Sequence, residues 1–175
     1  NHYSISYSTG VLSITKAPLT AKVENTSKEY GSSNPSFCME FVGLKNGEKT
    51  PVWSSSPSYT TSATIKSSVG EYEISAKATP KNYELSEISS GILKITKAPL
   101  TLQANDLSKT YYSENPELTY TCNGLKYWDD ISVLTVGPIL STNAKKESNA
   151  GIYEITIKGA SAKNYVITYK DGHMT

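Results

Sequence analysis

Apolar and polar residues alternate along this chain with a period of two. Leu19, Ala21 and Val23 alternate with polar neighbours, and so do Leu100, Leu102 and Ala104. The same rhythm links Phe37, Met39 and Phe41 with Leu118, Tyr120 and Cys122, and Tyr72, Ile74 and Ala76 with Tyr153, Ile155 and Ile157. Tyr165, Ile167 and Tyr169 are matched by Tyr3, Ile5 and Tyr7. A period of two puts every second side chain on one face, as a half-buried strand requires. Gly31-Ser32-Ser33-Asn34-Pro35, Asn46-Gly47 and Ser67-Ser68-Val69-Gly70 break the runs and predict turns. Asp171-Gly172 and Ser8-Thr9-Gly10 read as hairpin signals. The helical stretches predicted are one turn long at most, over 128–134 and over 47–53.

The alternation repeats. Lys16-Ala17-Pro18-Leu19-Thr20 returns as Lys97-Ala98-Pro99-Leu100-Thr101, 81 positions later. Ser27-Lys28 answers Ser108-Lys109, Tyr30 answers Tyr111, and Asn34-Pro35 answers Asn115-Pro116. Gly43-Leu44-Lys45 answers Gly124-Leu125-Lys126, and Gly70 answers Gly151. One residue is inserted in the second copy before Lys163-Asn164-Tyr165, the match of Lys81-Asn82-Tyr83. A fixed period of this size means tandem copies of one folding unit. The expected organisation is a first repeat over 16–96 and a second over 97–175, its last strand cut short. Residues 1–15 match 82–96 and are expected to be the closing hairpin of a preceding repeat. Only Ala98-Pro99 separates the two repeats' strands, and Pro restricts both residues, so the link is expected to be short, stiff and extended.

The predicted architecture is all-β: two tandem small β-sandwich, immunoglobulin-like units in a rod. The alternative is a pair of β-grasp-like units with one short helix each. Val11 to Lys16 of one molecule is expected to fill the open sheet of another, head to tail, because an open edge recruits strands.

Composition adds a setting. Tyr outnumbers Phe and Trp by 13 to 2 and 2, and with Thr, Ile and Val it suits a pleated, half-buried surface. The formal net charge is +1 and every basic residue is Lys, so neither a strong field nor a guanidinium reader is available for nucleic acid. No run approaches the roughly 18 apolar residues of a membrane-spanning helix.

The motifs resemble a known family. Lys-Ala-Pro-Leu-Thr, Ser27-Lys28-Glu29-Tyr30-Gly31 with Asn34-Pro35 behind it, Gly43-Leu44-Lys45-Asn46-Gly47, Gly70-Glu71-Tyr72-Glu73-Ile74 and Asn82-Tyr83 are similar to the MBG domain of the YGX type. The second repeat departs at Tyr112, where the first has Gly31, and at Tyr127-Trp128, where the first has Asn46-Gly47. The resemblance implies a repeat from secreted or cell-surface bacterial proteins, arrayed in large adhesin-like chains, with no catalytic residues to carry over.

The side-chain chemistry agrees. His2 and His173 both sit near a chain end beside turns, a poor seat for a general base or metal ligand. No phosphate loop, His-Glu-x-x-His or Gly-x-Ser-x-Gly is present. Asp129-Asp130, with Asn105 and Asp106, is the best cation candidate, but the spacing of a calcium loop is missing and helix capping is the stronger reading. Cys38 and Cys122 are not equivalent under the repeat; both are expected to be free thiols, Cys122 facing inward and Cys38 outward. Trp53 falls at an apolar position and is read as core. Trp128, beside Tyr127, is the candidate exposed ring for ligand contact. Asn25-Thr26-Ser27 matches a glycosylation acceptor that a bacterial protein would not use.

No catalytic, metal or cofactor site is therefore expected. The function expected is a non-enzymatic spacer segment of an extracellular or cell-surface bacterial protein, whose partners are its neighbouring repeats. The alternative is an adhesive module that binds a glycan or a host protein directly.

Overall fold

The computed structural model describes residues 2–126 and 128–175. Its regular elements are almost all strands. In the first repeat they are β1 (Ala17–Val23), β2 (Thr26–Glu29), β3 (Met39–Val42), β4 (Trp53–Thr60), β5 (Gly70–Pro80), β6 (Tyr83–Ser89) and β7 (Gly91–Thr96). In the second they are β8 (Ala98–Ala104), β9 (Tyr120–Asn123), β10 (Leu134–Val136), β11 (Ile139–Thr142), β12 (Tyr153–Lys158), β13 (Ser161–Ala162), β14 (Tyr165–Lys170) and β15 (Gly172–Met174). One 3₁₀ turn, Ile131–Val133, lies between β9 and β10. The first repeat has no counterpart to it among the described residues, so the β-grasp alternative, with a helix in each unit, is not favoured. Among the described residues no helix is long and apolar enough to cross a membrane.

The period of 81 extends to the hydrogen-bond ladders. β1 pairs antiparallel with β3 and parallel with β6; β8 pairs antiparallel with β9 and parallel with β14. Where β2 pairs in parallel with β7, the second repeat keeps a single parallel bridge, Leu107 to Met174. Trp53 opposes Pro80 as Leu134 opposes Ala162. In β1 and β8 the alternation read from the sequence is the burial pattern found. Leu19, Ala21 and Val23 of β1 are buried, and so are Leu100, Leu102 and Ala104 of β8. Each such Leu removed from water contributes about 1.5–3 kcal/mol.

The chain divides into two compact units that cut across the repeats. One holds residues 1–24, 37–60 and 74–91. It contains the sheet β3-β1-β6 and the β4–β5 ladder, with Leu19, Val23, Met39, Ile74 and Tyr83 buried. Phe41 packs on Trp53 with ring centroids 5.7 Å apart, and Trp53 is half-buried. The other unit holds residues 25–36, 61–73 and 92–175. In it the sheets β9-β8-β14 and β11-β12-β15 share a core of Leu102, Ala104, Ala144, Ile155, Ile157 and Met174, which makes this repeat a sandwich.

Two expected hairpins do not form. β14 and β15 are consecutive, yet β14 pairs with β8 and β15 with β12. The chain crosses from one sheet to the other at Asp171, whose Oδ1 accepts the Ile157 N–H at 2.9 Å. Gly172 follows because a Cβ there would lie 2.6 Å from the Ala104 carbonyl oxygen; its equivalent Gly91 would put one 2.7 Å from that of Val23. The Gly signal thus marks a close backbone approach between sheets, not a two-residue turn. Residues 2–16 form no strand and are exposed throughout. The matching segments at 83–89 and 91–96 are held by partner strands β1 and β2, whereas an isolated two-stranded hairpin is marginal in water.

Candidate functional site: the junction between repeats

Lys97 alone separates β7 from β8. The chemistry around this link comes from both repeats and lies within one compact unit. Tyr30, one residue past β2, donates its N–H to the Thr96 carbonyl at 2.8 Å, which fixes it beside the link. Its ring meets Tyr165 edge-on, centroids 5.5 Å apart and planes at 78°. Its hydroxyl donates to Asp129 Oδ1 at 3.3 Å and accepts the Trp128 indole N–H at 3.3 Å. Tyr165, the first residue of β14, donates its hydroxyl to Asp129 Oδ2 and accepts the Lys126 N–H at 3.0 Å. Both oxygens of Asp129 are therefore engaged by phenols. Burial first, and the bond to Asp129 second, hold the Tyr165 phenol well above the usual tyrosine range, so it stays neutral.

Around this centre the contacts are weaker. Lys126 Nζ lies 2.8 Å from Glu29 Oε1, a partly exposed pair worth about 0–1 kcal/mol. The Lys126 stem runs over Gly31, where a Cβ would be 2.5 Å from its Cγ. Lys66 stands over the Trp128 ring at 5.5 Å. Asn164 Oδ1 accepts the Val69 N–H at 3.1 Å, and its amide reaches Ser68 Oγ at 3.5 Å.

The first repeat carries the socket half of this arrangement at its own start. The Lys45 N–H donates to Tyr83 Oη at 3.0 Å, and that hydroxyl donates to Glu48 Oε2 at 2.6 Å. Lys45, Glu48 and Tyr83 are the equivalents of Lys126, Asp129 and Tyr165.

A second matched cluster braces the loops. Lys28 is buried; its ammonium donates to Ser32 O (3.0 Å), Asn34 Oδ1 (2.7 Å) and Thr64 O (2.8 Å). Desolvation holds its pKa below the ordinary lysine value. Lys109 repeats the motif on Ser113 O (3.1 Å) and Lys145 O (2.6 Å). Asn34 donates to Ala63 O as Asn115 donates to Ala144 O.

The singled-out residues are placed as follows. Tyr127 lies outside the described residues. Trp128 is half-buried and its N–H is taken by Tyr30. Asp130 caps the 3₁₀ turn, its Oδ1 accepting from Ser132 N at 2.8 Å; hydrogen bonding from the Ser132 side chain first, and from its N–H second, lowers the Asp130 pKa. Asp106 serves β15 by accepting the His173 N–H at 2.7 Å, as Asn25 accepts that of Ile92 at 2.8 Å. Asn105 donates to Thr119 Oγ1 at 2.9 Å. Among the described residues no three His, Cys, Asp or Glu side chains converge on a common point. Cys38 is exposed, Cys122 is half-buried, and both are free thiols. His2 is exposed, and exposed His173 lies with Nδ1 3.6 Å from Asp106.

Sequence reasoning placed Tyr30 in the repeat match and Tyr165 in the strand alternation and did not join them. The signal was in a departure between copies: Trp128, whose N–H meets Tyr30 at the junction, stands where the first repeat has Gly47.

These features define a tandem all-β repeat module whose matched polar side chains serve its own framework. The family model of the MBG domain (YGX type) matches the chain twice, at residues 19–94 and 100–175, and the chain belongs to that family. No curated protein matches the chain.

Proposed function

We infer that this chain is a non-enzymatic spacer segment of a large bacterial cell-surface or secreted adhesin-like protein. The observation that carries this reading is the junction. Tyr30, Asp129 and Tyr165, the best-formed polar cluster with residues from both repeats, spend their hydrogen bonds on one another. A binding or catalytic site instead leaves polar groups aimed at a vacant position. Membership of the MBG family supports a surface-protein repeat.

The test is a screen of the 175-residue chain against glycan and host-protein arrays, with Trp128→Ala beside it. A spacer shows no saturable binding. Saturable binding that Trp128→Ala abolishes would replace this reading with the adhesive one.

A further inference from the structure

The strand by which the chain enters a repeat lies parallel to one by which it leaves. β1 runs parallel to β6, from Ala17 opposite Tyr83 to Lys22 opposite Ser89. β8 runs parallel to β14, from Ala98 opposite Tyr165 to Gln103 opposite Lys170. β2 and β7 repeat the arrangement a few residues further on, and the bridge from Leu107 to Met174 keeps it in the second repeat. Parallel neighbours place entry and exit at opposite ends of one ladder. Backbone tension reaches β8 through Lys97, beside Ala98, and leaves β14 through Asp171, beside Lys170. The pull therefore runs along the strands. Ladder hydrogen bonds reach from strand to strand, so such a pull loads the rungs together. In an antiparallel pair entry and exit share one end, and the same pull opens the rungs one at a time.

Both repeats reinforce the entering strand in the same way. β1 and β8 are the middle strands of their sheets, β3-β1-β6 and β9-β8-β14. The Lys-Ala-Pro-Leu-Thr motif forms the leading end of each. The Ala17 N–H donates to Asn82 O at 3.1 Å, and the Ala98 N–H to Asn164 O at 3.0 Å. Pro then fixes the backbone one residue later. Side chains also tie the paired strands. Ser86 Oγ donates to Leu19 O at 3.4 Å, as Thr168 Oγ1 donates to Leu100 O at 3.4 Å. Leu100 and Leu102 are fully buried, and a slip of β8 by one residue turns both to the opposite face. Sliding β8 along β14 has to break the ladder and empty the core in one step.

We propose that each repeat is built to resist tension along its backbone, with the β1–β6 and β8–β14 ladders as its mechanical clamps. The recurring Lys-Ala-Pro-Leu-Thr motif is the end at which the clamp takes up the pull. The clamp holds against a pull along the strands and yields to one across them. The proposal is independent of the spacer role, since a ligand-binding chain with these ladders resists tension in the same way.

Constant-force optical tweezers on the whole chain test this. Forced unfolding is governed by the unfolding rate, so the readout is the folded lifetime at a given force. Lys97, Lys163 and Lys170 are exposed and flank the β8–β14 ladder. In a Cys38→Ser, Cys122→Ala background, handles on Lys97→Cys and Lys170→Cys pull along the strands. Handles on Lys97→Cys and Lys163→Cys pull the same two strands apart from one end. The expected lifetime is more than about tenfold longer in the first geometry than in the second. A smaller ratio overturns the proposal, and so does gradual extension without a distinct rupture in the first geometry. Both chains share one background, so any loss of stability it brings affects the two alike. The first repeat gives a second reading that keeps Cys122: Lys16→Cys with Ser89→Cys against Lys16→Cys with Lys81→Cys, in Cys38→Ser, with the same ratio expected and the same result overturning it.

Discussion

Tyr112 stands at φ +66°, in the same left-handed turn that Gly31 occupies at φ +81° in the preceding repeat. The backbone keeps its shape although only one of the two residues is suited to it. What differs is the space above: Gly31 lies under Lys126, while Tyr112 packs beside Tyr111 and under the Lys146 ammonium, 5.4 Å from its ring.

Gly31→Ala should therefore cost about 2 kcal/mol, from the left-handed strain and the displacement of Lys126. Tyr112→Gly relieves similar strain but loses an exposed cation–π contact, and should stabilise by no more than about 1 kcal/mol. Urea unfolding of the two variants checks the contrast; equal losses in both would contradict it.

Tyr165→Phe removes a hydroxyl that gives one hydrogen bond and accepts another, and should cost about 1–3 kcal/mol. It also carries a pH signature. Burial first raises the phenols of Tyr59 and Tyr165, and the hydrogen bond to Glu48 first raises that of Tyr83, all above the ordinary value of 10.0. A raised folded-state value means the contribution is complete below pH 10 and is lost as pH climbs through the folded value. Stability should fall above pH 10, and less steeply in Tyr165→Phe. A fall of the same steepness in wild type and variant would sink this assignment.

Lys28 works in the opposite sense. Its folded-state value is lowered, so the cost of burying the ammonium is released as pH rises through that value towards the ordinary 10.5. Lys28→Met at neutral pH strands the acceptors Ser32 O, Asn34 Oδ1 and Thr64 O and should cost about 2–3 kcal/mol. Lys109→Met should cost less, because water reaches the half-exposed Lys109 site. Paired calorimetry of the two variants tests the ranking.

The thiols should separate by access. Cys38 is exposed, with its pKa raised chiefly by a hydrogen bond to Glu24; Cys122 is half-buried, with its pKa raised by desolvation. Iodoacetamide at alkaline pH should label Cys38 first and Cys122 mainly after unfolding, as peptide mass mapping would show. Labelling of both at one rate would contradict this.

Much of the fold was legible because period-two alternation and the 81-residue repeat are both local, one-dimensional signals. They located β1 and β8 and their buried residues directly. They did not say which strand pairs with which, so Asp171-Gly172 looked like a hairpin although the chain there changes sheets. Parallel pairing of β8 with β14 joins residues more than sixty positions apart and leaves no trace in local pattern. The junction was hidden for the same reason: Tyr30 and Asp129 lie 99 positions apart.

That the compact units cut across the repeats changes how such a chain is best rearranged. A chimera spliced at Lys97 parts Tyr30 from Asp129 and pairs each with a stranger. One spliced between residues 24 and 25, where the chain passes from one compact unit to the other, keeps Tyr30 with Asp129. The natural cassette for grafting or circular shuffling is thus offset from the motif that announces the repeat.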